Sequence, residues 1–208
     1  MMLPQRFSRA DVDIKKQETV FSGFFKMERY LLRHRLFKGG WSGDMQRELF
    51  VRGDAVGVLL YDPVRDAVAL TQQFRIGCFE NTTGPWVWEI VAGMMETGEV
   101  PENVAVREVA EETGLQINAT QLHNICRYYN SPGGSSARMQ LFCSLCQLDA
   151  VEGVFGLPEE NEDIRVQTFS ADDAFKAVLS GNINNAAAVI ALQWLQMNRQ
   201  RLQKESDK

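Results

Sequence analysis

Residues 93–115 read GMMETGEVPENVAVREVAEETGL, and the reading of this stretch decides the fold of the chain. Pro101 stands where a first helical turn tolerates proline, and Gly114 stands where a helix stops, so the spacing predicts a helix over residues 101–113. At 3.6 residues per turn, Glu108, Glu111 and Glu112 share an arc of about 100°. Val106, Val109, Ala110 and Thr113 fill the opposite arc at the spacing of a core-facing stripe. Each like-charge pair three or four residues apart costs roughly 0.2–0.5 kcal/mol on an exposed helix. Arg107 offsets part of that through Glu111. Two readings follow. The bland one is a solvated acidic face. The sharper one is a site for hard divalent cations, which clustered carboxylate oxygens suit. What precedes the helix favours the second: Gly93 and Gly98 let backbone approach a ligand closely, and Glu99 adds another carboxylate.

Outward from this stretch, residues 12–52 read as short strands, in VDIKKQETVFSG, FFKMERYLLRHRLF and QRELFVRG, the last two separated by the turn KGGWSGD. AVGVLLYD and AVALTQQFRI form a second hairpin around PVRD, and PWVWEIVAGMMETGE continues apolar and then glycine-punctuated. LHNICRYYN and RMQLFCSLCQL flank the loop SPGGSS, and the acidic loop LPEENEDI leads into the strand RVQTF. Two helices follow, SADDAFKAVLSG, with Ser170 or Asp172 as cap, and NNAAAVIALQWLQMNRQRLQ, before a loose tail KESDK. Mixed strands and helices of this order predict an α+β or α/β/α layered fold.

The chain has 208 residues, enough for one domain with a small extension, and its net charge is −5 with a pI near 5.2. No basic field invites nucleic acid, and a phosphate-rich ligand would need cations to mediate its binding. No apolar run has the length of a signal-peptide core or a membrane span, so no membrane partner is expected. Cys143 and Cys146 have CxxC spacing, but no second pair or nearby His completes a zinc site. Buried, reduced thiols in a cytoplasmic protein are the expectation for these and for Cys78 and Cys126.

Residues 93–115 also resemble the whole Nudix box: Gly93, five residues, Glu99, seven residues, Arg107, Glu108, aliphatic Val109, one residue, Glu111, Glu112, one residue, Gly114, Leu115. GFF, RHRLF, QRELFVRG, DPVRD, QFRI, PWVWEIVAGM, SPGG, ENEDIRV and AAVIALQWLQ extend the resemblance to the subfamily of bacterial ADP-ribose pyrophosphatases, from about Thr19 to about Leu195. The resemblance implies a Nudix-type α/β/α sandwich around a mixed sheet (α/β class), with a small N-terminal antiparallel β region. It divides the chain into residues 1–52, dimer-forming, and 53–208, the hydrolase domain. It implies Mg2+-dependent hydrolysis of ADP-ribose to AMP and ribose 5-phosphate by two or three ions, with Mn2+ able to substitute. The alternatives are a broader nucleoside diphosphate sugar pyrophosphatase and a non-catalytic nucleotide-sensing module.

Carried over residue by residue, Glu108, Glu112, Glu162 and the carbonyl of Ala92 resemble metal ligands, and Glu160 resembles the general base on a mobile loop. Glu99, Arg107 and Glu111 resemble supporting residues. Phe24 and Phe25 resemble aromatic contacts to adenine, or else strand residues of a small core. Arg47, Glu48 and Arg52 resemble contacts from a partner subunit, and Arg75 resembles a ligand for phosphate or base. Met94 lies beside the expected pyrophosphate, and Ser131, Pro132 and Gly133 resemble a loop over the terminal ribose. The resemblance implies a homodimer, and Phe21, Phe24, Phe25, Leu31, Leu32, Leu36 and Phe37 are more apolar residues than a free hairpin keeps exposed. One departure stands out: Ala137 occupies a position where the family commonly has a substrate-contacting glutamate.

Overall fold

The computed structural model describes residues 3–149 and 151–206. The chain folds as two compact units, one made of residues up to Gly53 with Tyr129–Ala137, the other of Asp54–Tyr128 with Arg138 onward.

In the first unit, β1 (Val12–Ser22), β2 (Lys26–His34) and β3 (Met45–Val51) form an antiparallel sheet in that order. β1 and β2 join so tightly, Ser22 opposite Lys26, that Phe24 and Phe25 lie in the bend and not in a strand. Segment 129–137 is sewn onto the end of β3: Phe50 N–H donates to the Gly134 carbonyl at 2.8 Å, and Arg52 N–H to Ser136 Oγ at 3.0 Å. Many apolar side chains of this unit stay exposed, among them Val12, Ile14, Val20, Phe21, Phe24, Leu36 and Phe37.

The second unit is built on an eight-stranded mixed sheet. Its strands are β4 (Ala55–Asp62), β5 (Ala67–Phe74), β6 (Trp86–Glu89), β7 (Val91–Met94), β8 (Leu122–Tyr129), β9 (Arg138–Leu145), β10 (Gly153–Phe155) and β11 (Ile164–Ser170). The path runs β10-β11-β5-β4-β9-β8, with β6 on β5 and β7 on β4. β4 and β9 are parallel, Ala55 opposite Met139, and the other registered pairs of this sheet are antiparallel. The stretch PWVWEIVAGM is therefore two strands broken at Ile90, each pairing with a different neighbour.

Alternation along the central strands sorts side chains to two faces. Leu59, Tyr61, Val68, Leu70, Leu141 and Cys143 pack with α2 (Ala171–Ser180) and α3 (Ala186–Ser206). Val56, Val58, Leu60, Ala69 and Phe142 pack with α1 (Pro101–Thr113). The second unit is thus an α/β/α sandwich. Ser170 caps α2 by accepting from Asp173 N–H at 3.1 Å. α3 runs on to Ser206, with Arg201 paired to Glu205, so the expected loose tail is helical as far as it is described.

Candidate active site

The helix predicted over 101–113 forms with those limits, Pro101 in its first turn and Gly114 left-handed at φ 71° just past its end. Its orientation differs from the expected one. Val104, Ala105, Val109, Glu112 and Thr113 are its buried residues, whereas Val106 and Ala110 are only partly covered. The carboxylate side has turned toward the sheet because β7 meets it at a residue without a side chain: a Cβ at Gly93 would overlap the carboxyl group of Glu108. Apolar counting assumed that carboxylates face water. Burying Val104 and Val109 stabilises by roughly 1.5–3 kcal/mol each, against tenths for each like-charge pair, so packing decides where the acids go.

They go inward. Glu112 is 2 % exposed, and among the described residues its single hydrogen bond is a long one, from Ala92 N–H at 3.4 Å. Burial, then the Glu108 and Glu162 carboxylates, push its pKa well up, against the weaker pull of Arg75. Glu108 is pushed up to about 7, first by burial and then by Glu111 and Glu162, although Arg107 lies 2.9 Å from its carboxylate. Arg107 also meets Glu111 at 3.1 Å. Glu99 turns back to accept from Glu96 N–H at 2.7 Å, closing the loop ahead of the helix.

Glu162 arrives from the loop before β11, where it accepts from Leu157 N–H at 3.3 Å. Gly156, at φ 106°, is required beside it, since a Cβ there would press on the Glu162 backbone and Cβ. Glu160 ends the 3-10 turn Pro158–Glu160, and its side chain lies outside the described ones.

A hard cation suits this donor set: carboxylate side chains, one deeply buried without adequate hydrogen bonds, and two of them pushed toward their protonated forms first by burial and then by neighbouring carboxylates. Among the described residues no three Asp, Glu, His or Cys side chains already converge to enclose an ion. Arg107 holds Glu108 and Glu111 meanwhile. The residues fit the group, with charge to neutralise and flexible carboxylates to bring in.

The other expected residues fall as follows. Met94 ends β7, half-exposed, and Arg75 follows β5 with its Nε on Glu89 Oε2 at 2.6 Å. In the first unit Phe24 is 89 % exposed, whereas Phe25 packs edge-on against Phe50 at 4.9 Å and under the Arg52 guanidinium at 5.0 Å. Glu48 pairs with Arg29, and Arg47 donates to the Gln46 carbonyl. Ser131 accepts from Gly134 and Ser135 N–H, shaping the turn that holds Pro132 and Gly133. Ala137 is buried. Sequence reading missed one cluster: Asp54, whose carboxylate takes Arg127 at 2.6 Å and Arg138 at 2.7 and 2.9 Å. Burial works against its ionised form, but the two arginines prevail and lower its pKa.

A model of the NUDIX domain matches residues 51–192, most of the chain and all of the box. The chain belongs to the Nudix family. Pyrophosphate hydrolysis is that family's chemistry, and its members generally use divalent metal ions. This Nudix chain is 45% identical over 203 residues to the ADP-ribose pyrophosphatase of Escherichia coli (strain K12), covering 98% of this chain and 96% of the relative. It is 33% identical over 153 residues to the GDP-mannose pyrophosphatase of Cronobacter sakazakii, covering 73% of this chain and 78% of that one. A solved structure described as an ADP compounds hydrolase superposes with a TM-score of 0.68 at 20% identity, over 92% of this chain and 98% of that one, and shows the shared fold. No helix among the described residues is long and apolar enough to cross a membrane.

Proposed function

We propose that this Nudix hydrolase cleaves the pyrophosphate bond of ADP-ribose to AMP and ribose 5-phosphate, with Mg2+ held on the inward acidic side of α1. The observation that carries the reading is Glu112, a carboxylate buried at the end of the box helix without the hydrogen bonds its charge requires. The extensive identity to a relative named ADP-ribose pyrophosphatase supports the choice of substrate.

Glu108, Glu112, Glu162 and the Ala92 carbonyl hold two or three ions, and Mn2+ can replace Mg2+. When bound, the metal neutralises the pyrophosphate and polarises its phosphoryl oxygens. Glu160 takes the proton from the attacking water as its oxygen bonds to phosphorus and the bridging P–O bond breaks. Arg107 and Glu111 keep the ligands in place between turnovers, and Glu99 holds the loop. Met94, Arg75, Phe24, Phe25, Arg47, Glu48, Arg52, Ser131, Pro132 and Gly133 are the proposed substrate contacts, and residues 1–52 are proposed to form a homodimer. The exposed apolar side chains of β1, β2 and their flanks support that assembly. Four unpaired thiols support a cytoplasmic location.

A second reading, a broader nucleoside diphosphate sugar pyrophosphatase, has support from Ala137 and from the relative named GDP-mannose pyrophosphatase. A panel of ADP-ribose, ADP-glucose and GDP-mannose with Mg2+, scored for nucleoside monophosphate, separates the two. ADP-ribose is expected to lead by at least about tenfold in kcat/KM, and comparable rates would select the broader reading. Glu160→Gln is expected to lower kcat by about a hundredfold with Mg2+ binding retained. Unchanged turnover at saturating Mg2+ would place the base elsewhere.

A further inference from the structure

Thr71, Gln73 and Arg75 alternate along and just past β5, continuing the line of Ala67 and Ala69 on the face that carries α1. Glu89 of β6 lies opposite Thr71 on that same face. The Arg75 side chain meets Glu89, and Gln73, between them on β5, is itself buried. The Glu89 side chain is 17 % exposed and that of Arg75 42 %.

The bond uses Arg75 Nε at 2.6 Å. Among the described residues, nothing takes its two terminal amino groups. A guanidinium held by Nε keeps its Nη1/Nη2 edge for a second partner, and that edge matches the spacing of two phosphate oxygens. Arg75 thus stands at the end of β5 on the sheet face that carries α1, the helix of the box carboxylates.

We infer that Glu89 is a positioning residue for the hydrolysis: it holds Arg75 by Nε so that the Nη1/Nη2 edge receives an oxyanion of the substrate pyrophosphate. This rests on the pyrophosphatase reading above. An untethered arginine loses rotamer freedom each time substrate binds, and the Glu89 bond removes that loss in advance. Charge alone predicts the opposite sign. Neutralising Glu89 makes the site more positive, so an anionic substrate would bind more tightly if Glu89 were only a counter-charge.

The test measures kcat and KM for ADP-ribose at saturating Mg2+, with the thermal midpoint, for the parent, Glu89→Gln, Arg75→Ala and the double variant. Glu89→Gln is expected to lose about tenfold in kcat/KM through a raised KM. Arg75→Ala is expected to lose more, and the double variant no more than Arg75→Ala. Parental or improved kcat/KM in Glu89→Gln overturns the inference, as does a double-variant loss equal to the product of the single losses. Should Glu89→Gln fail to fold, Arg75→Lys takes its place, because it keeps the charge and loses the tethered fork. A loss of about tenfold supports the inference, and parental kcat/KM overturns it. A parent that leaves ADP-ribose intact overturns the function and this inference together, whereas an active parent with uncoupled variants overturns this inference alone.

Discussion

Two charged clusters flank the same sheet and behave in opposite ways. On the α2/α3 side, Asp66 takes Arg199 at Nε (2.7 Å) and Nη2, Tyr61 Oη at 2.9 Å and Gln203 at 3.1 Å, while Arg199 also meets Asp172 at 2.6 Å. The Arg199 hydrogen bonds come first in holding Asp66 below the usual carboxylate range. On the α1 side, Glu108, Glu112 and Glu162 repel one another around a buried position, and Glu108 and Glu112 are pushed upward. Both clusters are made of ordinary acids and arginines. One closes its own bonds and ties the β4–β5 turn to α2 and α3, and the other leaves carboxylates pushed toward their protonated forms, a demand the proposed cation would meet. Satisfied charge marks scaffold here, and unsatisfied charge marks the proposed site.

The largest expected effect tests that division at its unsatisfied end. Glu112→Gln removes a proposed metal ligand and the buried acid together. Activity is expected to fall on the order of a thousandfold, since metal stabilisation amounts to several kcal/mol. The thermal midpoint is expected to hold or rise. Loss of folding, or near-normal turnover, would make Glu112 scaffold like Asp66.

At the satisfied end, Arg199→Ala leaves Asp66 and Asp172 without their cation. A loss of roughly 2 kcal/mol in denaturant unfolding is expected, lower than for a fully buried pair because water reaches the site. Activity per folded molecule should stay at the parent's value. A specific loss of turnover at full folding would extend the functional region across the sheet.

A smaller effect separates the clusters by pH. Glu108 has its pKa raised from an ordinary 4.5 to about 7, so the folded metal-free protein holds a proton the unfolded chain releases, and stability falls as pH rises across that window. Asp66 is shifted the other way, so its contribution is present above its ordinary value of 3.8 and is lost in stronger acid. Melting of the metal-free protein should therefore show a midpoint falling by a few degrees between about pH 5 and pH 8. Mg2+ should restore more at pH 8 than at pH 5, because the ligands must lose their protons to bind it. An equal Mg2+ effect at both pH values would detach metal binding from these glutamates.

Much of this was legible beforehand, for identifiable reasons. The apolar runs AVGVLLYD and AVALTQQF joined by the turn PVRD, and the Pro101 and Gly114 punctuation of the box helix, act over a few residues and so are written locally. β10 escaped notice because a three-residue edge strand, Gly153–Phe155, shows no alternation to read. The rotation of α1 was hidden because it depends on Gly93 beneath Glu108, a contact across the fold. The same holds for Arg75 with Glu89, for Asp54 with Arg127 and Arg138, and for Asp66 with Arg199: each joins residues that only the sheet brings together. The box pointed to Glu108 and Glu112, and tertiary structure supplied their burial.

The most direct measurement is a crystal structure with Mn2+ and a non-hydrolysable ADP-ribose analogue, recorded at the manganese absorption edge. An anomalous peak touching the carboxylates of Glu108 and Glu112 and the analogue's phosphate oxygens is the expected result. A well-ordered analogue with no ion beside those two glutamates would contradict the account.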